Sequence, residues 1–74
     1  MSLEEIIIDS DFIVDGYAYL RREDNILCVN IETNHRTEFS HDYKMLSTTM
    51  DSIELCLAQE YLLRNRWVFE NEEI

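Results

Sequence analysis

Residues 50–67 read MDSIELCLAQEYLLRNRW, a stretch at helical spacing whose apolar residues fall on two sides of the cylinder. Met50, Ile53, Leu57 and Tyr61 recur at the intervals of one helix face. Leu55, Ala58 and Leu62 form a second stripe, well round from the first. Such a helix needs a sheet or another element against each stripe, or a second chain against one of them. The demand is severe in a chain of 74 residues. A domain of that size buries only about 60% of the surface its unfolded form exposes. One small acidic domain over residues 1–74 is the expected organisation.

A sheet for one stripe is found upstream. Residues 12–20, FIVDGYAYL, and 26–33, ILCVNIET, are rich in β-branched and aromatic residues and alternate well enough to predict two strands. The connector RREDN has a normal hairpin length, and Asn25 is its best candidate for a left-handed residue. Asn34-His35 marks a second turn, and RTEFS, 36–40, a short third strand. The helix is predicted to start near Thr48, with Asp51 three residues on as a variant capping box and Arg64 and Arg66 suiting its last turn. Periodicity does not decide residues 41–47, the N-terminal EEIIID or the WVFE at 67–70. The expected class is α+β: a small antiparallel sheet, a three-stranded meander, packed on one long C-terminal helix.

The faces follow from alternation. Leu27, Val29 and Ile31 point one way, and Cys28, Asn30 and Glu32 the other. Read as one strand, residues 12–20 set Phe12, Val14, Ala18 and Leu20 against Ile13, Asp15, Tyr17 and Tyr19. The face without Asp15 and Glu32 is expected to meet the helix through Met50, Ile53, Leu57 and Tyr61. Tyr17 and Tyr19 are then expected on the outer face, and Leu55, Ala58 and Leu62 are left for another chain.

Charge narrows the function classes. Sixteen acids against six Lys and Arg give −10, which works against phosphate binding and steers towards basic surfaces. The ends carry most of the excess: Glu4, Glu5, Asp9, Asp11 and Asp15 with no base in residues 1–20, and Glu70, Glu72 and Glu73 in 67–74. The N-terminus lacks the basic region of a secretory signal, and no run approaches the roughly 20 apolar residues of a membrane span. Two cysteines make no disulfide framework, so the expected setting is a reducing cytoplasm.

Sites with chemistry are poorly represented. Cys28, His35, His41 and Cys56 are separated by 6, 5 and 14 residues, which matches no zinc pattern. DSDFIVDG, 9–16, begins like a calcium loop but has Ile13 and Val14 where a ligand and a glycine are required. Nothing local activates Cys28 as a nucleophile, and one glycine in the chain leaves no phosphate cradle. Arg21 and Arg22 sit beside Glu23 and Asp24, which nearly cancel them. The expectation is a non-enzymatic interaction protein, without cofactor or metal, that regulates or inhibits a protein partner. Its partner-binding candidates are Tyr17, Tyr19, Leu55, Ala58 and Leu62 as apolar anchors, with Asp9, Asp11, Asp15, Glu70, Glu72 and Glu73 as the charged surface. A basic nucleic-acid-binding protein is the sharpest target, which would make this a DNA mimic of the kind phages direct at host enzymes. The alternative is a structural homodimer or an accessory subunit of a larger assembly.

Overall fold

A computed structural model describes residues 1–70. The order is α1 (Leu3–Asp9), β1 (Phe12–Val14), β2 (Tyr17–Arg21), β3 (Ile26–Asn30), β4 (Arg36–Phe39), β5 (Met45–Thr48), α2 (Ser52–Arg64) and α3 (Trp67–Glu70). The class is α+β as expected. The sheet is larger than expected: five antiparallel strands in the order β1-β2-β3-β4-β5, with helices on both faces.

Residues 12–20 are a hairpin, not one strand. Asp15 (φ 50°) and Gly16 (φ 82°) both lie in the left-handed region and reverse the chain. Phe12 therefore pairs with Tyr19 and Val14 with Tyr17. Two central residues at positive φ are the type I′ geometry, and Asp-Gly is among its preferred pairs because its twist matches that of the strands. β5 adds to β4 after a turn in which Tyr43 takes φ 72°. A register shift between Glu38 and Phe39 leaves Leu46 without an opposite residue. Asn34 takes the expected left-handed conformation (φ 64°), whereas Asn25 does not. Asn25 closes its loop instead by accepting the Arg22 amide on its carbonyl, at 2.7 Å, and the Arg22 Nε on its side chain, at 2.8 Å.

Both longer helices start at complete capping boxes. In α1 the Ser2 hydroxyl accepts the Glu5 amide (3.2 Å) and the Glu5 carboxylate accepts the Ser2 amide (2.8 Å). That exchange satisfies donors that a helix start leaves open, so EEIIID is helical. In α2 the box is Asp51 with Glu54, three residues later than the expected Thr48 with Asp51. Thr48 instead ends β5, and its hydroxyl accepts the Met50 amide at 2.9 Å. WVFE forms α3, which brings the Phe69 ring to 5.4 Å from Phe12. The Arg21 guanidinium donates to the Phe69 carbonyl at 2.9 Å.

Phe12 and Val14 pack on the α2 side as expected, but for β2 and β3 the two faces of the sheet are the reverse of the expectation. Leu27 and Val29 pack with Ala18 against Ile6 of α1. Tyr17, Tyr19, Ile26, Cys28 and Phe39 pack with Met50, Ala58, Leu62 and Phe69. The acids that argued against this face are not in strands, since Asp15 occupies a hairpin turn and Glu32 follows the end of β3. On the helix, Ala58 and Leu62 are fully buried, while Ile53 is 73% exposed. Met50 is buried, but Leu57 and Tyr61 are only flanks of this core.

Candidate functional site

The expected anchors are used within the chain. Tyr19 is buried, stacks on Phe12 with ring centroids 4.7 Å apart, and donates its hydroxyl to the Ala58 carbonyl at 2.6 Å. Burial raises its pKa well above that of an ordinary tyrosine. This bond requires the α2 backbone to come close to the sheet, which the small side chain of Ala58 permits. Tyr17 and Leu62 are buried in the same core and Leu55 packs at its edge. Tyr17, Tyr19, Ala58 and Leu62 therefore present no free surface, which corrects their reading as anchors for another chain.

The acids lie outside. Asp9, Asp11 and Asp15 are exposed. Asp11 accepts the Arg21 amide at 2.7 Å, and Asp15 accepts the Tyr61 hydroxyl at 2.6 Å. Glu70 accepts the Tyr43 hydroxyl at 2.7 Å. These acids are anchored to different elements: the end of β2, α2 and the β4–β5 turn. Glu72 and Glu73 lie outside the described residues.

Glu54 is the acid that sequence reasoning missed. Its side chain is turned under α2 and accepts from Asn30 Nδ2 and Thr33 Oγ1, each at 2.8 Å, and from the Asp51 amide at 3.1 Å. His35 Nδ1 stands 2.9 Å away. The hydrogen bond with His35, followed by those from the Asp51 amide and Thr33, lowers its pKa to about 2. With both oxygens saturated by donors, this carboxylate ties the start of α2 to the β3–β4 turn and is ill suited to act as a base. The available signal was Glu three residues after Asp51, the mark of a capping box.

A carboxyl with a depressed folded-state pKa contributes stability that is full above its unfolded pKa and lost as pH falls through the folded one. For Glu54 that window runs from about 4.5 down to about 2. Glu54→Gln keeps the shape and removes the charge. Urea midpoints for wild type and variant should differ at pH 6 and converge as pH is lowered towards 2. A constant gap across that range would rule out this role for the charge.

The remaining candidate groups are dispersed. Burial pushes the Cys28 thiol up to about 12, whereas Cys56 is exposed. His41 Nε2 lies 2.8 Å from the Arg22 carbonyl oxygen. Among the described residues no group of three His, Cys, Asp or Glu side chains is placed to hold a metal ion. An open groove of about 320 Å³ is lined by Arg22, Leu27, Arg36, Glu38 and Ser47, among others. Its arginines are already engaged, Arg22 with Asn25 and Glu38, and Arg36 with Asn34 and the Met1 carbonyl.

The outer side of α2 is different. Ile53, Cys56, Glu60 and Leu63 recur at intervals of three and four residues on the side away from Ala58 and Leu62. Ile53 is 73% exposed and Leu63 is 47% exposed. Trp67, four residues beyond Leu63, is 60% exposed. Within α2 this is the seam spacing of helix-to-helix packing with a single charge in the middle, and Arg64 pairs with that Glu60 at 2.5 Å; Trp67 follows at the start of α3. The stripe's signal in the sequence is Ile53, which helical spacing alone places with Met50, Leu57 and Tyr61.

Among the described residues no helix is long and apolar enough to cross a membrane. No curated protein and no solved structure matches the chain. A family model does match, over residues 1–69, and so the chain belongs to DUF7723, a family of unknown function.

Proposed function

We propose that this is a small protein-binding module of the cytoplasm, acting as a regulator or inhibitor without chemistry of its own, and that it docks a basic protein through the outer face of α2. The observation that carries this reading is the exposed apolar pair Ile53 and Leu63 on the side of α2 opposite its core face, with exposed Trp67 following at the start of α3. Large apolar side chains presented together on a rigid helix are suited to a partner's apolar groove or helix. Charge selects the occupant. Asp51 lies before the stripe, Glu60, paired with Arg64, lies within it and Glu70 lies beyond it, and a chain at −10 attracts a basic surface and repels a second copy of itself. Nucleic-acid-binding proteins present such surfaces. A homodimer or an accessory-subunit role would use the same stripe against that repulsion.

The single tryptophan of the chain, Trp67, lies within the stripe and reports on its burial. A synthetic amphipathic helix of leucine and lysine is the probe. Its addition should shift Trp67 emission to the blue with micromolar affinity, and Leu63→Glu should weaken that binding at least tenfold. The variant adds negative charge, so purely electrostatic adhesion of the peptide would strengthen instead. No blue shift in wild type, or an undiminished one in Leu63→Glu, would refute docking at this face. Sedimentation of the free protein as a dimer, with emission that shifts blue as concentration rises, would make a second copy the occupant.

A further inference from the structure

The groove of about 320 Å³ lies on the face of the sheet away from α2. On that face α1 covers β2 and β3, where Ile6 packs on Ala18, Leu27 and Val29. The strand register sets Arg36 opposite Val29, Glu38 opposite Leu27 and Ser47 opposite Glu38, so these side chains share the face. They line the groove beside α1, with Met1 and Arg22.

The two charges on its β4 floor are met differently. Glu38 has a partner for each oxygen, since Arg22 Nη2 stands 3.3 Å from one and the Ser47 hydroxyl donates to the other at 3.2 Å. Arg36 meets only neutral acceptors. Its Nε and Nη2 donate to the Asn34 side-chain oxygen at 3.3 and 3.1 Å, and its Nη1 to the Met1 carbonyl at 2.7 Å. Arg22, Lys44, Arg64 and Arg66 each pair with an acid, but among the described residues no acid pairs with Arg36. Its three bonds leave two N–H groups, one on each terminal nitrogen. A carboxylate has two oxygens for such a pair. The same three bonds hold the guanidinium in place, so little side-chain freedom remains to be lost on binding.

We propose that this groove binds a small carboxylate, gripped through both terminal nitrogens of Arg36. Arg22 and Arg36 against Glu38 give the lining side chains a net +1, in a chain at −10. An anion thus meets a local surplus of positive charge on an otherwise acidic molecule. The half-exposed Met1 side chain offers apolar contact to a short tail. The volume is near the lower end of small-molecule sites, about 300 Å³, which limits that tail to a few carbons. A free acid and the end of a peptide carry this chemistry alike. The groove lies across the sheet from the α2 stripe, so the inference does not depend on the docking reading.

The probe is butyrate, titrated against the backbone amide signals of the full chain. Ionic strength is held at about 0.15 M, where a Debye length of about 8 Å screens the distant acids. Saturable shifts are expected at Arg36, Ser47 and Thr49, and none with butyramide. Arg36→Gln should abolish them while the β3 signals stay in place. Arg36→Lys keeps the charge without the fork and should weaken binding severalfold. Glu38→Gln removes the one acid of the lining and should tighten binding severalfold, a gain that a folding defect cannot produce. Leu63→Glu should bind butyrate as wild type does. Acetyl-alanyl-leucine and its C-terminal amide separate the two sources: tighter binding of the free-acid peptide than of butyrate makes the ligand a chain end, and weaker binding makes it a free acid.

Non-saturable shifts, equal shifts with butyramide, binding retained in Arg36→Gln, or no gain in Glu38→Gln would each overturn the proposal. None of these results touches the docking reading, which stands or falls on Leu63→Glu and the leucine and lysine helix.

Discussion

Replacing Leu62 by alanine is expected to destabilise the fold by about 3 kcal/mol, whereas the same change at its neighbour Leu63 should cost about 0.5 kcal/mol or less. Leu62 is fully buried in the core with Tyr19, Phe39, Ala58 and Phe69, while Leu63 is 47% exposed. Truncation at 62 removes the transfer energy of the lost methyls and leaves a cavity. The sheet side of this cavity is a hydrogen-bonded strand that cannot collapse far into it. A domain of this size has a total stability of roughly 5–10 kcal/mol. The loss at 62 should therefore lower the melting temperature by roughly 15 °C. Thermal and urea unfolding of the pair measure this directly. Equal costs, or a greater cost at 63, would mean that α2 sits in another rotation and that the outer stripe is not the exposed one.

Ile6→Ala is the second large effect, again about 3 kcal/mol, with Ile8→Ala close to neutral as its control. Ile6 is fully buried, and Ile8 is 79% exposed. α1 has only seven residues, too few to hold helical structure alone in water. What keeps it folded is its capping box together with the seating of Ile6 on Ala18, Leu27 and Val29. Loss of that contact should release α1 before the rest of the domain. Amide exchange should then accelerate over residues 3–9 well before it does in β3. A uniform acceleration across the chain would show instead that α1 and the sheet unfold as one unit.

Local signals carried much of the architecture, and two of them were stronger than the expectations built on the chain. Asp15-Gly16 between alternating apolar residues is a hairpin mark. Reading through it turned two strands into one and inverted the assignment of Tyr17 and Tyr19. Ser2 with Glu5 and Asp51 with Glu54 are capping boxes at both long-helix starts, and each defines a boundary that apolar periodicity left vague. β5 had no such mark. Its residues are mostly exposed, and they form a strand because β4 offers an open edge after the Tyr43 turn.

The candidate site was less legible for a physical reason. α2 carries apolar residues on both sides, so hydrophobicity alone does not choose its rotation. Polar contacts between distant segments choose it. The Asn30, Thr33 and His35 groups draw Glu54 beneath the helix. Tyr19 reaches the Ala58 carbonyl across 39 positions of sequence. With those bonds made, Ala58 and Leu62 turn inward, and Ile53 and Leu63 turn out. Strands, turns, caps and the −10 charge are properties of short windows or of composition, and they can be read from the chain. Which stripe of α2 is left to meet a partner depends on partners brought together only by folding, and the chain offers both stripes equally until they meet.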